Sequence, residues 1–246
     1  MFTHLNVASA YSFKYGTALP HQIVERAVDF KMKRLALTDH DSMAGAVRFT
    51  QSCESAGIAP ILGVTTSFIQ KKYRVTLLAQ EGSLGSLYKL LTAINQGDDG
   101  ARILTYKLLE KHSDLTSKIL ILHGPHSQLS ASIASRRHEE ALSIYTSTRQ
   151  LFAGQALAVT SHMAKGNGPF STTYAASNLR FARMHGIDAV ITNAVRMLDR
   201  ADGPVADVLD SARLLVPLHE RHIERSNSES YFKNESEMSY IADEIA

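Results

Sequence analysis

The chain has 246 residues, 44% hydrophobic and 20% charged, enough for one large domain or two small ones around a real core. Its 26 basic and 24 acidic residues leave a formal net charge of only +2, which argues against a general nucleic-acid or anionic-membrane surface. Cys53, the lone cysteine, excludes an intrachain disulfide and fits a reducing cytoplasm, and no apolar run approaches the roughly 20 residues of a membrane helix.

Taken in order, Met1-Phe-Thr-His shows no signal-segment pattern, and Phe2–Ala8 alternates as a first strand. Ser9–Gly16 is a loop with Tyr11 and Tyr15, and Pro20 opens a helix with Ile23, Val24, Ala27 and Val28 on one side. Arg34-Leu-Ala-Leu-Thr then runs into Asp39-His40-Asp41, which reads as a buried strand ending in a polar knot. Ser42 is placed to cap the helix-permissive Met43–Ala56, and Gly57 to end it. The short basic runs Lys31-Met-Lys-Arg34 and Lys71-Lys72 read as solvated faces.

Strands follow at Ile58–Gly63, extending toward Phe68, and at Tyr73–Ala79. Gly82–Asn95 is a helix and Gln96–Gly100 a loop, and Gln96–Ala101 is the best boundary if there are two domains. A short helix at Thr105–Lys111, a strand at Lys118–Leu122 and a helix at Arg137–Phe152 come next. The strand Gln155–Thr160, the Gly-rich loop Ser161–Phe170 and the helix Thr172–His185, ended by Gly186, continue the alternation. Asp188–Thr192 is the last strand, Val205–Leu215 a helix, and Asn234–Ala246 starts another. This order predicts an α/β fold with a largely parallel sheet of about seven strands, as a small (β/α) barrel or a doubly wound sheet.

Phe2-Thr-His-Leu-x-Val7-x-Ser9-Ala-Tyr-Ser12 and Leu35-Ala-Leu-Thr-Asp-His-Asp-Ser-Met-Ala-Gly-Ala-Val47 resemble the opening motifs of the PHP (polymerase and histidinol phosphatase) domain. Gly57-Ile-Ala-Pro-Ile-Leu-Gly-Val64 is similar to its third strand. Val75–Ala79, Val190–Arg196 and Tyr231-Phe-Lys-x-x-x-Glu237-Met238 look like the N-terminal region of bacterial DNA polymerase III alpha subunits, so the resemblance runs almost the whole chain. It implies one domain over 1–246, a distorted seven-stranded (β/α) barrel, with 234–246 starting a connection to a following region if the parent chain is longer. Active members of the family hold two or three metals at the C-terminal strand ends and hydrolyse phosphoesters, since adjacent metals activate water and stabilise phosphoryl oxygens.

On that resemblance the first motif, His-x-His, is Asn6 and Ala8 here, and a loop ligand falls on Tyr15. His40, between Asp39 and Asp41, is kept. The expected Glu is Thr65, an expected His is Arg74, a Cys or His falls near Pro125, and the final Asp-x-His is Ala194-Val-Arg196. Fixed positive charge at Arg74 and Arg196 opposes a cation, so the expectation is a vestigial cleft with no metal and no catalytic residue.

The bland alternative for His40 is a hydrogen bond to Asp39 or backbone, and for Asp39 and Asp41 a helix-capping role. His123-Gly-Pro-His126 reads as a turn with solvated histidines; the sharper alternative is a new three-histidine site with His40, binding zinc or manganese. His219-x-x-His222 reads as a polar surface segment. Ser9, Ser12 and Ser42 lack a nucleophile-elbow pattern, and Gly166-Asn-Gly168 reads as a flexible loop.

The leading expectation is a degenerate, metal-free PHP domain of a DNA polymerase III alpha-type protein in replication or repair synthesis. The resemblance implies that it braces a polymerase core, of the same or another chain, and offers a surface to a proofreading exonuclease subunit. It would meet DNA only indirectly and meet no membrane. The chain ends about where the catalytic region of such a polymerase would begin, so it is expected to lack polymerase activity, whether fragment or free-standing. The rivals are a metal-dependent phosphoesterase or 3'-5' proofreading exonuclease, and a nucleic-acid-binding module using Arg74 and Arg196.

Overall fold

The computed structural model describes residues 2–97, 102–219, 225 and 227–246. Six strands, β1 (Arg34–Leu37), β2 (Ala59–Phe68), β3 (Gln70–Ala79), β4 (Ile119–His123), β5 (Gly154–Val159) and β6 (Ala189–Ile191), form one sheet in chain order. β1 pairs parallel with β2, β2–β3 and β3–β4 are antiparallel, and β4–β5 and β5–β6 are parallel again. The largely parallel sheet expected is therefore mixed. The physical reason is that β2 turns directly into β3 at Ile69, with no crossover helix.

The predicted first strand, 2–8, makes one bridge, Val7 to Val195, rather than a ladder. It still lies between the two ends of the sheet. Ala36 N–H and Thr38 N–H donate to the His4 and Val7 carbonyls, while Val195 N–H donates to Asn6 O and Ala8 N–H to Val195 O. The sheet thus curls so that both edges reach this one segment. The observed architecture is α/β, with six strands among the described residues.

Helices α1 (Pro20–Asp29), α2 (Ala46–Ala56), α3 (Leu84–Asn95), α4 (Tyr106–Lys111), α5 (Ser113–Thr116), α6 (Gln128–Ala134), α7 (His138–Arg149), α8 (Thr172–His185), α9 (Gly203–Leu214) and α10 (Glu235–Ile245) cover the described part of the chain. Pro20 sits in the first turn of α1, where its missing N–H costs nothing, and Gly57 (φ 68°) takes the left-handed position that ends α2. Asn234 caps α10 with Glu237 returning to the Asn234 N–H, a reciprocal box. Ser42 is not the cap of α2: that position is Gly45, and Ser42 Oγ accepts from Ala44 N–H instead.

Strand alternation explains the core. Val75 and Leu77 of β3 and Ile119 and Ile121 of β4 pack outward on α3 residues Leu87, Leu90 and Ile94. The intervening Leu78 and Leu122 join Ala156 and Ala158 of β5 in a cluster on the other face. α1 and α2 cover β1 through Ile23, Val24, Phe49 and Cys53, against Leu35 and Leu37. α6, α7 and α8 cover β5 at Leu157, and α10 adds Met238, Ile241 and Ile245 beside Val159. Burial pushes the Cys53 thiol up to about 12, so it is a packing residue.

The basic runs are as expected at the surface: Lys31, Lys33, Lys71 and Lys72 are exposed. Residues 98–101 of the suggested boundary loop, and His222 of the paired-histidine segment, lie outside the described residues.

Candidate functional site

The polar residues singled out in the sequence converge at the C-terminal ends of β1, β2, β4, β5 and β6, with the segment 6–16 alongside. Asp39 leaves β1 fully buried, and its carboxylate accepts from Ser9 N–H (2.6 Å), Ser9 Oγ (2.9 and 3.0 Å) and Ser12 Oγ (2.7 Å). Burial raises its pKa above the ordinary aspartate value, against the pull of these donors. Gly16 closes the same loop, because a Cβ there would stand 2.1 Å from Ser9 O. Asp39 is therefore a fastener for the loop, and neither the expected helix cap nor the partner of His40.

Asp39→Asn keeps the oxygen acceptor but substitutes an NH₂ for the second. It is expected to cost about 1–3 kcal/mol by leaving a buried donor facing a hydroxyl and weakening charge-assisted bonds. Urea unfolding of the variant beside the parent measures this. A loss below a few tenths of a kcal/mol would remove the fastener role.

His40 forms a bridge with Thr65 across β1 and β2, and its own N–H donates to Ser12 Oγ (2.9 Å). Its ring stacks on Tyr15 at 4.0 Å between centroids, and the Arg196 guanidinium carbon lies 4.1 Å from the Tyr15 centroid. Burial first, then the positive charge of Arg74, Arg196 and Arg213, holds the imidazole well below its usual pKa, so it is neutral at pH 7. The expected bond from His40 to Asp39 is replaced by this stack.

The other cleft positions are engaged by each other. Asn6 Nδ2 donates to Thr76 Oγ1 (2.9 Å), which is 3.0 Å from Thr65 Oγ1. Arg74 pairs with Asp41 (2.5 Å) and donates to Thr65 O (3.1 Å). Asp41, in left-handed backbone at φ 53°, is spent on that pair and does not cap a helix. Arg196 is buried, bidentate to Asp210 (3.0 and 3.1 Å), and donates to Tyr15 O. Ala8 is buried, Ala194 sits at φ 46°, and the Pro125 carbonyl accepts from Tyr174 OH (2.8 Å).

His123 and His126 part company. His123 is buried, 3.5 Å from Thr148 Oγ1 of α7, while His126 packs edge-on against Phe170. The solvated turn expected of His123 is thus a packed one, and these two histidines do not meet His40 as a trio. Among the described residues, no three His, Cys, Asp or Glu side chains are grouped to hold a metal ion.

Sequence reasoning missed Asp210 and His162, and read 161–170 as a Gly-rich loop without placing it beside the cleft. His162 stacks parallel on Phe170 at 4.4 Å and its Nε2 donates to Asn193 O (2.8 Å). No local pattern announces these residues, because each reaches the cleft through a long-range contact.

A family model for the PHP domain matches residues 4–162, and the chain belongs to that family. An error-prone DNA polymerase of Symbiobacterium thermophilum is 29% identical over 94% of this chain and 23% of its own length. DNA polymerase III alpha subunits of Buchnera aphidicola from Acyrthosiphon pisum and of Bacillus subtilis are 24% and 27% identical, over 99% and 82% of this chain and 21% and 18% of theirs. The chain thus spans about a fifth of the length of these relatives. Among solved structures, an amidohydrolase from Chromobacterium violaceum with bound sulfate and no metal aligns at TM-score 0.52 and 15% identity, over 79% of this chain and 87% of that one. A two-domain protein from Bacteroides vulgatus containing a predicted PHP-like metal-dependent phosphoesterase aligns at 0.52 and 12%, over 79% and 51%. These two likenesses concern the fold alone. No described helix is long and apolar enough to cross a membrane.

Proposed function

We propose that this chain is a degenerate PHP domain of a DNA polymerase III alpha-type protein, serving as a structural and interaction module in DNA synthesis in the cytoplasm. One observation carries the reading: the positions that would ligate metal in the family are occupied by groups bonded to one another. Asn6, Thr76 and Thr65 form one hydrogen-bonded chain, Tyr15 covers His40, and Arg74 and Arg196 hold carboxylates at Asp41 and Asp210. Two guanidinium groups and a single imidazole do not fit a di- or trinuclear metal centre, which needs three or more anionic or imidazole donors per ion. No catalytic step is therefore assigned.

The polymerase context rests on the relatives, and the bracing role on the large share of their length that lies outside the matching region. Pairing of β3 with β4, across residues 76–79 and 119–122, spans the suggested boundary and supports a single domain from 1 to 246, distorted-barrel in type. A polymerase core and a proofreading exonuclease subunit are the partners proposed, with DNA reached only through them. Arg74 and Arg196 are taken up by Asp41 and Asp210, which weakens the reading in which they grip DNA phosphates directly.

The rival is a metal-dependent phosphoesterase or 3'-5' exonuclease using zinc or manganese. Elemental analysis after incubation with both metals and desalting separates the two. Metal far below one equivalent, unchanged in His40→Ala, is expected. A stoichiometric ion lost in His40→Ala, with phosphodiesterase activity lost alongside it, would overturn the proposal.

A further inference from the structure

Helix α9 reverses the usual amphipathic order. Its buried side carries Gly203, Ala206 and the charged Asp210, whose carboxylate is held by Arg196. Its outward side carries Val205, Val208 and Ala212, with the two valines about half exposed. At about 3.6 residues per turn these three fall within roughly 60° of arc, opposite the buried side. A surface helix of a globular protein normally turns its apolar stripe inward and its polar side out.

A second feature extends the same face. Leu215 ends α9 in left-handed backbone (φ 57°) and is 87% exposed. Glycine takes this position without strain, so leucine here is both strained and left in water. Phe13, 81% exposed, joins that end of the helix. Lys14 Nζ donates to Ala212 O (3.0 Å) and lies 5.3 Å from the centre of the Phe13 ring, which sets the ring beside the last turn of α9. Val205, Val208, Ala212 and Leu215 thus repeat at the three-four-three spacing of a two-helix seam. The face grades from small residues at the helix start, Pro204 and Val205, to bulky ones at its end, Phe13 and Leu215. Its exposed apolar area is roughly 500–600 Å², as large as the largest patch of an ordinary monomer.

We propose that a second copy of this chain docks on this face, α9 against α9, antiparallel about a two-fold axis. Antiparallel pairing sets the bulky end of each face on the small end of the other, so the surface is complementary to itself. The seam residues are uncharged, so they do not repel across the axis, and the two helix dipoles run opposed. Two such faces bury about 1,000–1,200 Å² in all, the lower limit for a specific pair, which makes the dimer a weak one.

The experiment is sedimentation velocity of the 246-residue chain at rising concentration, where a reversible dimer in the micromolar range is expected. Val208→Glu places two carboxylates near the axis and should weaken the dimer at least about tenfold. Val47→Glu, at an exposed valine of α2, should leave it unchanged. Both valines are exposed, and melting temperatures check that the variants fold. Phe13→Ser, in a loop, gives a second and independent weakening. Orientation is read from cysteine pairs: Val205→Cys chains mixed with Leu215→Cys chains should link on oxidation, and Val205→Cys chains alone should not. Cys53 is buried, with its thiol pushed up to about 12, and does not compete. A chain that is monomeric at every concentration would overturn the proposal, and so would open-ended aggregation in place of a dimer. A dimer indifferent to both Val208→Glu and Phe13→Ser would remove α9 from the interface. Linking of Val205→Cys chains to each other would overturn the antiparallel arrangement. A chain monomeric alone that binds a polymerase core through Val208 would give the face to that core and overturn the second copy. Each of these outcomes leaves the metal-free reading of the cleft untouched.

Discussion

Acidification from pH 7.5 to pH 5 is expected to remove several kcal/mol of stability, a large part of the roughly 5–15 kcal/mol of an ordinary domain. His4, His123 and His162 are buried, and burial first of all lowers each imidazole from 6.5 to about 4. His4 lies between Phe2 and Phe232 with one nitrogen bonded to Lys233 O and the other unpaired, so protonation would bury an unmatched N–H and a charge. The sign follows from proton binding. Between pH 6.5 and pH 4 the unfolded chain takes up protons at these residues that the folded chain refuses. Stability is fully present above about 6.5 and falls by about 1.4 kcal/mol per pH unit for each group as pH drops toward 4. His40, also depressed, adds to the same slope. Asp39, whose pKa is raised, works in the opposite sense, but it is one group and acts only near the carboxyl range. Urea midpoints at pH 7.5, 6 and 5 measure the slope. His123→Leu, which replaces a weakly bonded buried ring, is expected to flatten it by about one proton. A midpoint that stays level down to pH 5 would sink the account.

Asp210→Ala is the substitution expected to cost most, about 3–5 kcal/mol. The Arg196 and Asp210 side chains are 7% and 3% exposed, and the carboxylate also takes a bond from Arg213. Removing it strands a buried guanidinium with the Tyr15 carbonyl and ring as its remaining partners. The pair itself is worth far less than its breakage, since desolvation cancels much of the attraction. The double variant Arg196→Met, Asp210→Leu is therefore expected to recover most of the loss. Equilibrium unfolding of the two singles and the double at pH 7.5 gives the coupling directly. A single variant within about 1 kcal/mol of the parent would mean that water reaches the guanidinium and screens it.

Local rules carried the sequence reading where a signal is local. Pro20, Gly57, Gly186 and the period of α8 set helix limits within a residue or two, because caps and helical spacing act over a few neighbours. The run ending in Asp39-His40-Asp41 was legible as a strand meeting a cleft, and the family motifs were legible as residue strings. Whether 2–8 would form a ladder was not, since strand pairing depends on partners nearly two hundred residues away, at Val195.

The site divides in the same way. The sequence by itself determined that His40 stands without the residues its motif normally accompanies, because residue identity alone decides which donors exist. Only the tertiary structure decided where each polar group spends its bonds. Asp39 goes to Ser9 and Ser12, Arg74 to Asp41, Arg196 to Asp210, and Asn6 to Thr76. Those pairings join residues far apart in the chain through the curl of one sheet. Their energies come from burial and mutual charge, quantities that no short stretch of sequence contains.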